Sequence, residues 1–232
     1  MTHFYDRAAA GRALGALLGA YRGREDVLVL GLPRGGVPVA AEIAETLQAP
    51  LDVMIVRKLG APGQPELALG AMASGGVTVI NENLMSLFED SPAVAVAAVI
   101  ARERVELKRR EALYRNDRPP LEVRGRTIIL VDDGAATGAS MGAAVLATKE
   151  LEAKRIVVAL PVASADALFM LRSEVDEVAC ILTPPVFQSV GEWYQRFEQT
   201  SDNEVSTLLA RARAREQGRS ASLGTASEPL RG

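Results

Sequence analysis

Residues 127–140 read TIILVDDGAATGAS, and this stretch decides the fold class. Thr127–Val131 is a continuous run of β-branched residues and leucine, which is typical of a strand buried on both faces of a parallel sheet. Two carboxylates, Asp132 and Asp133, follow the run. A loop of small residues then leads into an apolar segment from Met141 to Leu151 that predicts a helix. A strand followed directly by a helix is one half of a βαβ unit.

The same alternation repeats along the chain. Further strands are predicted at four places: Asp26–Leu32, Leu51–Val56, Arg155–Pro161 and Val175–Leu182. Further helices are predicted at Val37–Leu47 and Ala165–Leu171, with a long one from Ala93 to Tyr114 and a last one from Ser201 to about Ala214. The glycine- and proline-rich residues 58–76 are expected to form a loop, followed by a short strand at Val77–Ile80. The pattern predicts an α/β fold with a doubly wound, mainly parallel sheet.

The length of 232 residues fits one domain, which we expect to cover residues 1–215 with a core of about 26–182. Residues 216–232 are small and polar, and are expected to form a disordered tail. No apolar run approaches the roughly 18 residues that span a bilayer, and the first residues lack the order of a signal peptide. We therefore expect a cytoplasmic protein.

Composition excludes several kinds of site. The chain has 26 basic and 29 acidic residues, which gives no general electrostatic reason to bind nucleic acid or an anionic membrane. Its one cysteine, Cys180, excludes an internal disulfide and a multi-cysteine metal site. Its one histidine, His3, makes a histidine-built metal site or a Ser-His-Asp triad at the predicted sheet implausible. The Arg- and Glu-rich second half of the long helix is either a solvated face or a contact between copies of the chain.

The loop after Asp132 and Asp133 has the residue types that bind a phosphate. In open α/β sheets, ligands bind outside the carboxyl ends of the strands. Small residues let backbone N–H groups approach a phosphate, and the following helix N-terminus adds partial positive charge. Thr137 and Ser140 add hydroxyl donors, and the two carboxylates can accept hydrogen bonds from vicinal sugar hydroxyls. Such a site suits a ribose 5-phosphate group.

Residues 128–140 resemble the phosphoribosyl-pyrophosphate (PRPP) motif of type I phosphoribosyltransferases: an apolar strand, two acids, a small loop, Thr-Gly, and a final hydroxyl residue. The resemblance implies a doubly wound sheet with a small hood formed by the chain ends. It places the sugar hydroxyls on Asp132 and Asp133 as the catalytic residues. It places the 5-phosphate on a run of six residues: Ala135, Ala136, Thr137, Gly138, Ala139 and Ser140.

The upstream half resembles the same family. A short loop after the first strand, Arg34-Gly35-Gly36, corresponds to the family's pyrophosphate loop, and Arg57-Lys58 after the next strand would add cationic charge near pyrophosphate. The strings PRGGVPVA and RKLGAPGQPELALGA also resemble a bacterial group whose acceptor is not evident from sequence. The resemblance implies Mg²⁺ as the cofactor, held mainly by PRPP oxygens, with Asp132 and Asp133 as the protein groups it could meet.

The resemblance implies transfer of a 5-phosphoribosyl group from PRPP to an unidentified acceptor, a nucleobase or similar compound of nucleotide metabolism. Two other functions stay open. One is a regulator that binds PRPP or a nucleotide without catalysis, although no basic helix-turn-helix is visible. The other is a hydrolase of phosphoribosyl compounds. Residues 138–142 match the nucleophile elbow of α/β-hydrolases, but no histidine follows them to act as the base.

Four of the aromatic residues, Phe187, Trp193, Tyr194 and Phe197, lie close together near the end of the chain. Aromatic clusters of this kind usually anchor a terminal segment to the core. The alternative is that they form the hood and stack on the acceptor.

Overall fold

A computed structural model describes residues 3–61, 64–80, 93–115 and 118–225. The helices are α1 (Arg7–Leu17), α2 (Gly36–Leu47), α3 (Ala93–Arg115), α4 (Ala139–Glu150), α5 (Ala165–Arg172) and α6 (Asp202–Thr225). The strands are β1 (Val27–Gly31), β2 (Leu51–Val53), β3 (Val56–Ala61), β4 (Gln64–Ala73), β5 (Val77–Ile80), β6 (Thr127–Val131), β7 (Arg155–Val162) and β8 (Glu177–Leu182). Short 3₁₀ turns occupy Gly19–Tyr21 and Gly191–Trp193.

The main sheet has five strands in the order β2-β1-β6-β7-β8, and all neighbouring pairs are parallel. The prediction of a parallel α/β sheet is therefore confirmed. β1 and β6 are adjacent, and Gly31 lies opposite Val131 at their ends. This register places the loop after β1 beside the loop after β6, so two segments that are far apart in the sequence meet at one edge.

The sheet is buried on both faces. Val27 and Val29 of β1 pack in a core cluster with residues of α1, α2 and α6. Leu28 and Leu30 pack in a second cluster with residues of α4 and α5. All five residues of β1 are buried, and so are all five of β6. The uninterrupted apolar runs in these strands thus follow from their having helices on both sides.

Residues 58–76 do not form the predicted long loop. β3, β4 and β5 form a separate antiparallel sheet, in which Val56 pairs with Ala73 and Gly70 pairs with Ile80. A Cβ atom at Gly70 would lie 2.1 Å from the Val79 carbonyl oxygen, so this glycine permits close approach between strands. Gly75 and Gly76, both with positive φ, form the turn between β4 and β5. Among the described residues of this segment, the glycines that suggested a loop are therefore distributed between two strands, β3 and β4, and one turn.

The last helix continues beyond its predicted end at about Ala214. α6 extends to Thr225, so the first part of the segment predicted to be a disordered tail is helical, and residues 226–232 lie outside the described residues. Arg215 forms an ion pair with Glu45 of α2, and Arg219 donates to the backbone carbonyl of Gln48. These contacts, together with helix-favouring Ala, Arg, Glu and Gln between 212 and 217, account for the extension.

Asp52 of β2 connects three parts of the molecule. Its carboxylate accepts two hydrogen bonds from Arg115 of α3, at 3.1 and 3.2 Å, and lies 3.2 Å from the Arg118 guanidinium. Arg118 also donates to the backbone carbonyls of Leu51 and Leu209, and Leu209 belongs to α6. The three charged side chains are only 11–12% exposed. The edge strand is thus tied to two helices by a nearly buried ionic network.

Within the described ranges, no helix combines the length and hydrophobicity that a membrane span requires.

Candidate functional site

The two predicted acids lie where β6 ends, next to the loop that follows β1. The backbone N–H of Leu32 donates to the Val131 carbonyl at 2.8 Å, which joins the two loops at their start. Asp132 Oδ1 accepts a 2.9 Å hydrogen bond from the backbone N–H of Asp133. This bond fixes the orientation of the first carboxylate. The pair therefore occupies the carboxyl edge of the sheet, the position where ligands bind in this class of fold.

The loop Arg34-Gly35-Gly36 lies directly against the acids. A Cβ atom at Gly35 would be 2.0 Å from Asp133 Oδ2, and one at Gly36 would be 2.5 Å from the Val131 carbonyl oxygen. Side chains at these two positions would displace the carboxylate or the strand end, so glycine is needed at both. The peptide bond between Pro33 and Arg34 is cis. α2 begins at Gly36, so its N-terminus faces the same edge and favours negative charge there.

The side of the small-residue loop that faces the protein packs against the end of β7 and against α5. The Ala135 N–H donates to the Val162 carbonyl at 3.0 Å, and Ser164 Oγ donates to the Ala136 carbonyl at 2.6 Å. Gly138 has a φ of +72° and packs so closely that a Cβ there would lie 2.8 Å from Met170 Cε. α4 begins at the next residue, Ala139.

The front of this loop is open to solvent. Thr137 and Ser140 are exposed, as are Ala136 and Ala139, whereas Ala135 and Gly138 are buried. Thr137 Oγ1 accepts a long hydrogen bond, 3.4 Å, from the Ala139 N–H. The six predicted residues therefore form a turn with exposed hydroxyl groups at the N-terminus of a twelve-residue helix. This geometry suits a phosphate group.

Arg57 and Lys58 do not lie where the sequence predicts. They are inside β3 rather than at the end of a strand of the main sheet, because the chain leaves that sheet after Val53 and pairs with β4 instead. The Arg57 guanidinium donates two hydrogen bonds, of 2.6 and 2.9 Å, to the nearly buried carboxylate of Glu103 on α3. This ion pair connects the small sheet with α3, and a role of either cation in binding pyrophosphate stays a prediction.

Arg7 is a site residue that the sequence analysis missed. Its Nε donates to Asp133 Oδ2 at 2.8 Å, and its Nη1 donates to the Glu198 carbonyl at 2.7 Å. Its guanidinium carbon lies 3.8 Å from the centre of the Phe197 ring, within cation–π distance. The side chain is 12% exposed. Arg7 is 126 residues from Asp133, and no local pattern in a single sequence indicates such a pairing.

The chain ends form the hood, defined here as residues 3–6 and 183–201. Phe4 pairs with Tyr194 in a parallel bridge, and its N–H donates to the Trp193 carbonyl. The Tyr194 hydroxyl donates to the Asp133 carbonyl at 2.5 Å. Phe4 and Tyr194 form a core cluster with Val162, against which Phe187, Trp193 and Phe197 pack. The aromatic residues thus anchor the terminal segments, and they hold the hood over Asp133.

Burial raises the pKa of Asp132 well above its usual range, and the neighbouring charge of Asp133 raises it further. Burial also raises the pKa of Asp133, although the hydrogen bond from Arg7 opposes that shift. Carboxylates that are disfavoured as bare anions gain most from new hydrogen-bond donors or a cation. The electrostatics of the pair therefore suit a ligand that brings hydroxyl groups or a metal ion.

Among the described residues, no group of three or more His, Cys, Asp or Glu side chains could hold a metal ion by itself. The adjacent carboxylates of Asp132 and Asp133 do fit Mg²⁺, which takes oxygen ligands and commonly binds through one or two carboxylates plus substrate phosphates. The donor set is thus compatible with a metal that arrives together with a phosphorylated ligand.

The comparisons with known proteins agree with this geometry. Residues 4–196 match the family model described as "Phosphoribosyl transferase domain". The chain belongs to the type I phosphoribosyltransferase family. Two Mycobacterium tuberculosis proteins, MT0597 and Rv0571c, are each 43% identical over 229 residues and are named as candidate phosphoribosyl transferases. The alignment covers 99% of this chain and 51% of each relative, so the chain spans about half the length of the curated relatives it matches.

Similarity to this phosphoribosyltransferase domain also extends to solved structures. The crystal structure of TT1426 from Thermus thermophilus has 42% sequence identity and a TM-score of 0.81, with 90% of this chain and 98% of that chain covered. The family match covers both the motif of residues 128–140 and the loop Arg34-Gly35-Gly36, which meet at one edge in this structure. The contacts of Arg7 and Tyr194 with Asp133 are observed in the structure of this chain.

Proposed function

We propose that the chain transfers the 5-phosphoribosyl group of PRPP to an acceptor, a nucleobase or similar compound, and releases pyrophosphate. The observation that carries this proposal is the contact between Gly35 and Asp133. It brings the cation-bearing loop within atomic contact of the acidic pair, beside the open loop of residues 135–140. One ligand with a phosphate, a ribose diol and a diphosphate can bind all three.

The residues have separate tasks in this reaction. The loop 135–140 and the N-terminus of α4 bind the 5-phosphate. Asp132 and Asp133 accept hydrogen bonds from the ribose hydroxyls and stabilise the positive charge that develops on the ring. Arg34 stabilises the negative charge that grows on the departing pyrophosphate. Mg²⁺ bound with PRPP would neutralise diphosphate charge and hold its oxygens.

The bonds that change are all in the substrates. The bond from ribose C1 to the diphosphate oxygen breaks, and its electron pair leaves with pyrophosphate. A bond forms from C1 to the nucleophilic atom of the acceptor, which releases a proton to solvent. No side chain needs to act as a nucleophile, which is consistent with a sequence that has no histidine after Ser140 to act as its base. The one histidine of the chain, His3, instead stacks on Trp193 in the hood.

The test is release of pyrophosphate from PRPP with Mg²⁺ and a panel of nucleobases and related heterocycles. Turnover that depends on one acceptor supports the transferase. Binding of PRPP by calorimetry without turnover for any acceptor would indicate a regulator. Pyrophosphate or phosphate release without an acceptor would indicate a hydrolase. Absence of both heat and thermal shift at millimolar PRPP would contradict the transferase and a regulator that binds PRPP.

Arg34→Ala should weaken binding of pyrophosphate by about ten- to a hundredfold, the scale of one charge-assisted hydrogen bond. Binding of ribose 5-phosphate should change much less, because its phosphate binds the loop after β6. Arg124→Ala is the matched control, since it removes the same charge from an exposed side chain that pairs with Glu152 near the start of β6. Calorimetric titration of both ligands measures the difference. Equal weakening for the two ligands would contradict the position assigned to Arg34.

Ser140→Ala should weaken PRPP binding by about 1.5–3 kcal/mol, because the variant lacks one hydroxyl donor to a charged phosphate but keeps the backbone N–H groups. Activity should remain measurable at saturating PRPP. A serine-directed fluorophosphonate should leave the wild-type protein unlabelled, because serine needs an adjacent base to react. Stoichiometric labelling at Ser140, with complete loss of activity in Ser140→Ala, would instead identify a hydrolase.

A further inference from the structure

Asp202 places a carboxylate beside the cation that is proposed to bind pyrophosphate. Its Oδ1 lies 3.7 Å from Arg34 Nη1. The same oxygen accepts a 2.5 Å hydrogen bond from the hydroxyl group of Tyr114, near the end of α3. Tyr114 is 6% exposed, whereas the side chain of Asp202 is 46% exposed. A fixed tyrosine thus holds a partly exposed carboxylate within ion-pair distance of Arg34.

Asp202 is not needed to cap its own helix. Ser201 precedes α6, and its Oγ accepts a 3.1 Å hydrogen bond from the Glu204 N–H, which is the N-cap interaction. The N-terminus of α6 is therefore capped without the Asp202 side chain. The carboxylate instead points towards the loop after β1. Burial and the bond to Asp202 raise the pKa of Tyr114 to about 12, so the tyrosine remains a donor at neutral pH.

We propose that Asp202 is an internal competitor for Arg34, and that it weakens diphosphate binding so that the product leaves more readily. The proposal rests on the function proposed above. In the free protein, Asp202 balances the Arg34 charge. A bound diphosphate must share Arg34 with this carboxylate and is also repelled by it. The 5-phosphate, which binds the loop after β6, has no such competitor.

Asp202→Asn tests the proposal, because asparagine keeps the oxygen that accepts from Tyr114 and removes only the charge. Calorimetric titration with pyrophosphate and Mg²⁺ at low ionic strength should show binding about three- to fivefold tighter than wild type, the scale of a partly exposed ion pair. Titration with ribose 5-phosphate should give the wild-type affinity. The gain should decrease as salt is added, because salt screens exposed charges. A gain of affinity cannot come from partial unfolding.

Glu204→Gln is the matched control. It removes one negative charge from the same first turn of α6, where the helix dipole stabilises acidic side chains, and Glu204 is exposed. Its pyrophosphate affinity should stay at the wild-type value. In an Arg34→Ala background, the gain in pyrophosphate affinity caused by Asp202→Asn should be at least about twofold smaller, because the cation for which Asp202 competes is absent.

Unchanged or weaker pyrophosphate binding in Asp202→Asn would overturn the proposal, and so would an equal gain in Glu204→Gln or in the Arg34→Ala background. If the wild type binds pyrophosphate and consumes PRPP, those results leave the proposed transferase intact. If neither wild type nor Asp202→Asn binds pyrophosphate at millimolar concentration, the competitor role is contradicted, and the transferase is contradicted as well if the wild type does not consume PRPP.

Discussion

Replacing Asp132 and Asp133 together with asparagine should lower kcat/KM for PRPP by about 10²–10⁴-fold. Each carboxylate accepts a charge-assisted hydrogen bond in the proposed complex, and one such bond contributes about 1.5–3 kcal/mol, or roughly ten- to a hundredfold. Asparagine keeps the size of the side chain but cannot stabilise a cationic ribose ring. Pyrophosphate release with the best acceptor measures the loss. Asp166→Asn is the control, since Asp166 is exposed at the start of α5 and its loss leaves the pair intact.

The same double variant should remain folded. Burial raises the pKa of both carboxyl groups, so their ionisation above about pH 4 makes the native state less favourable rather than more. Their replacement removes this penalty, which partly offsets the loss of the Arg7 ion pair. Relative to wild type, the double variant should therefore gain stability as the pH rises above about 4. A folded variant with wild-type kcat/KM would show that the carboxylates have only a structural role.

Asp52→Asn should lower the free energy of unfolding by about 3–5 kcal/mol, the cost of leaving buried charges without their partner. Arg115 and Arg118 are 11% and 12% exposed, and they would keep two positive charges near a neutral amide. The network ties β2 to α3 and α6, so its loss should weaken the edge of the main sheet. Urea denaturation, with the slope checked for two-state behaviour, measures the change.

Glu152→Gln is the control for this second substitution. Glu152 pairs with Arg124, and the two side chains are 59% and 78% exposed. An exposed pair of this kind contributes less than about 1 kcal/mol. If Asp52→Asn costs no more than Glu152→Gln, the Asp52 network does not stabilise the fold.

The main sheet could be predicted because the residues that indicate each of its strands are contiguous in the sequence. The runs at Val27–Gly31 and Thr127–Val131 are continuous, apolar and bounded by turn residues, and each of these features favours a buried parallel strand. The acidic pair and the small loop after Val131 are also contiguous. Family resemblance then predicted that the Arg34 loop would lie beside them, and the register of Gly31 with Val131 places it there.

The antiparallel sheet could not be predicted in the same way. Its glycines have opposite roles, since Gly70 lies in a strand and Gly75 in a turn, and only the partner strand distinguishes them. The sequence predicts Arg57 at the end of a strand, whereas it lies inside β3, because β3 pairs with β4. Its carboxylate partner, Glu103, is 46 residues away. The contact of Arg7 with Asp133 depends on the fold of the whole chain. Long-range pairs of this kind leave no periodic signal.

The long sequence separation between Arg7 and its partner in the hood affects the order in which the protein folds during synthesis. Arg7 donates to the Glu198 carbonyl, 191 residues further along the chain. At about 5–20 residues per second, a ribosome needs roughly ten to forty seconds to synthesise that interval. During this time α1 can already pack against α2, which follows it in the chain, but the Arg7 side chain lacks the Glu198 carbonyl. The bond from Arg7 to Glu198 therefore forms only after both members of the acidic pair have been synthesised, so the hood is completed later than the sheet edge that it covers.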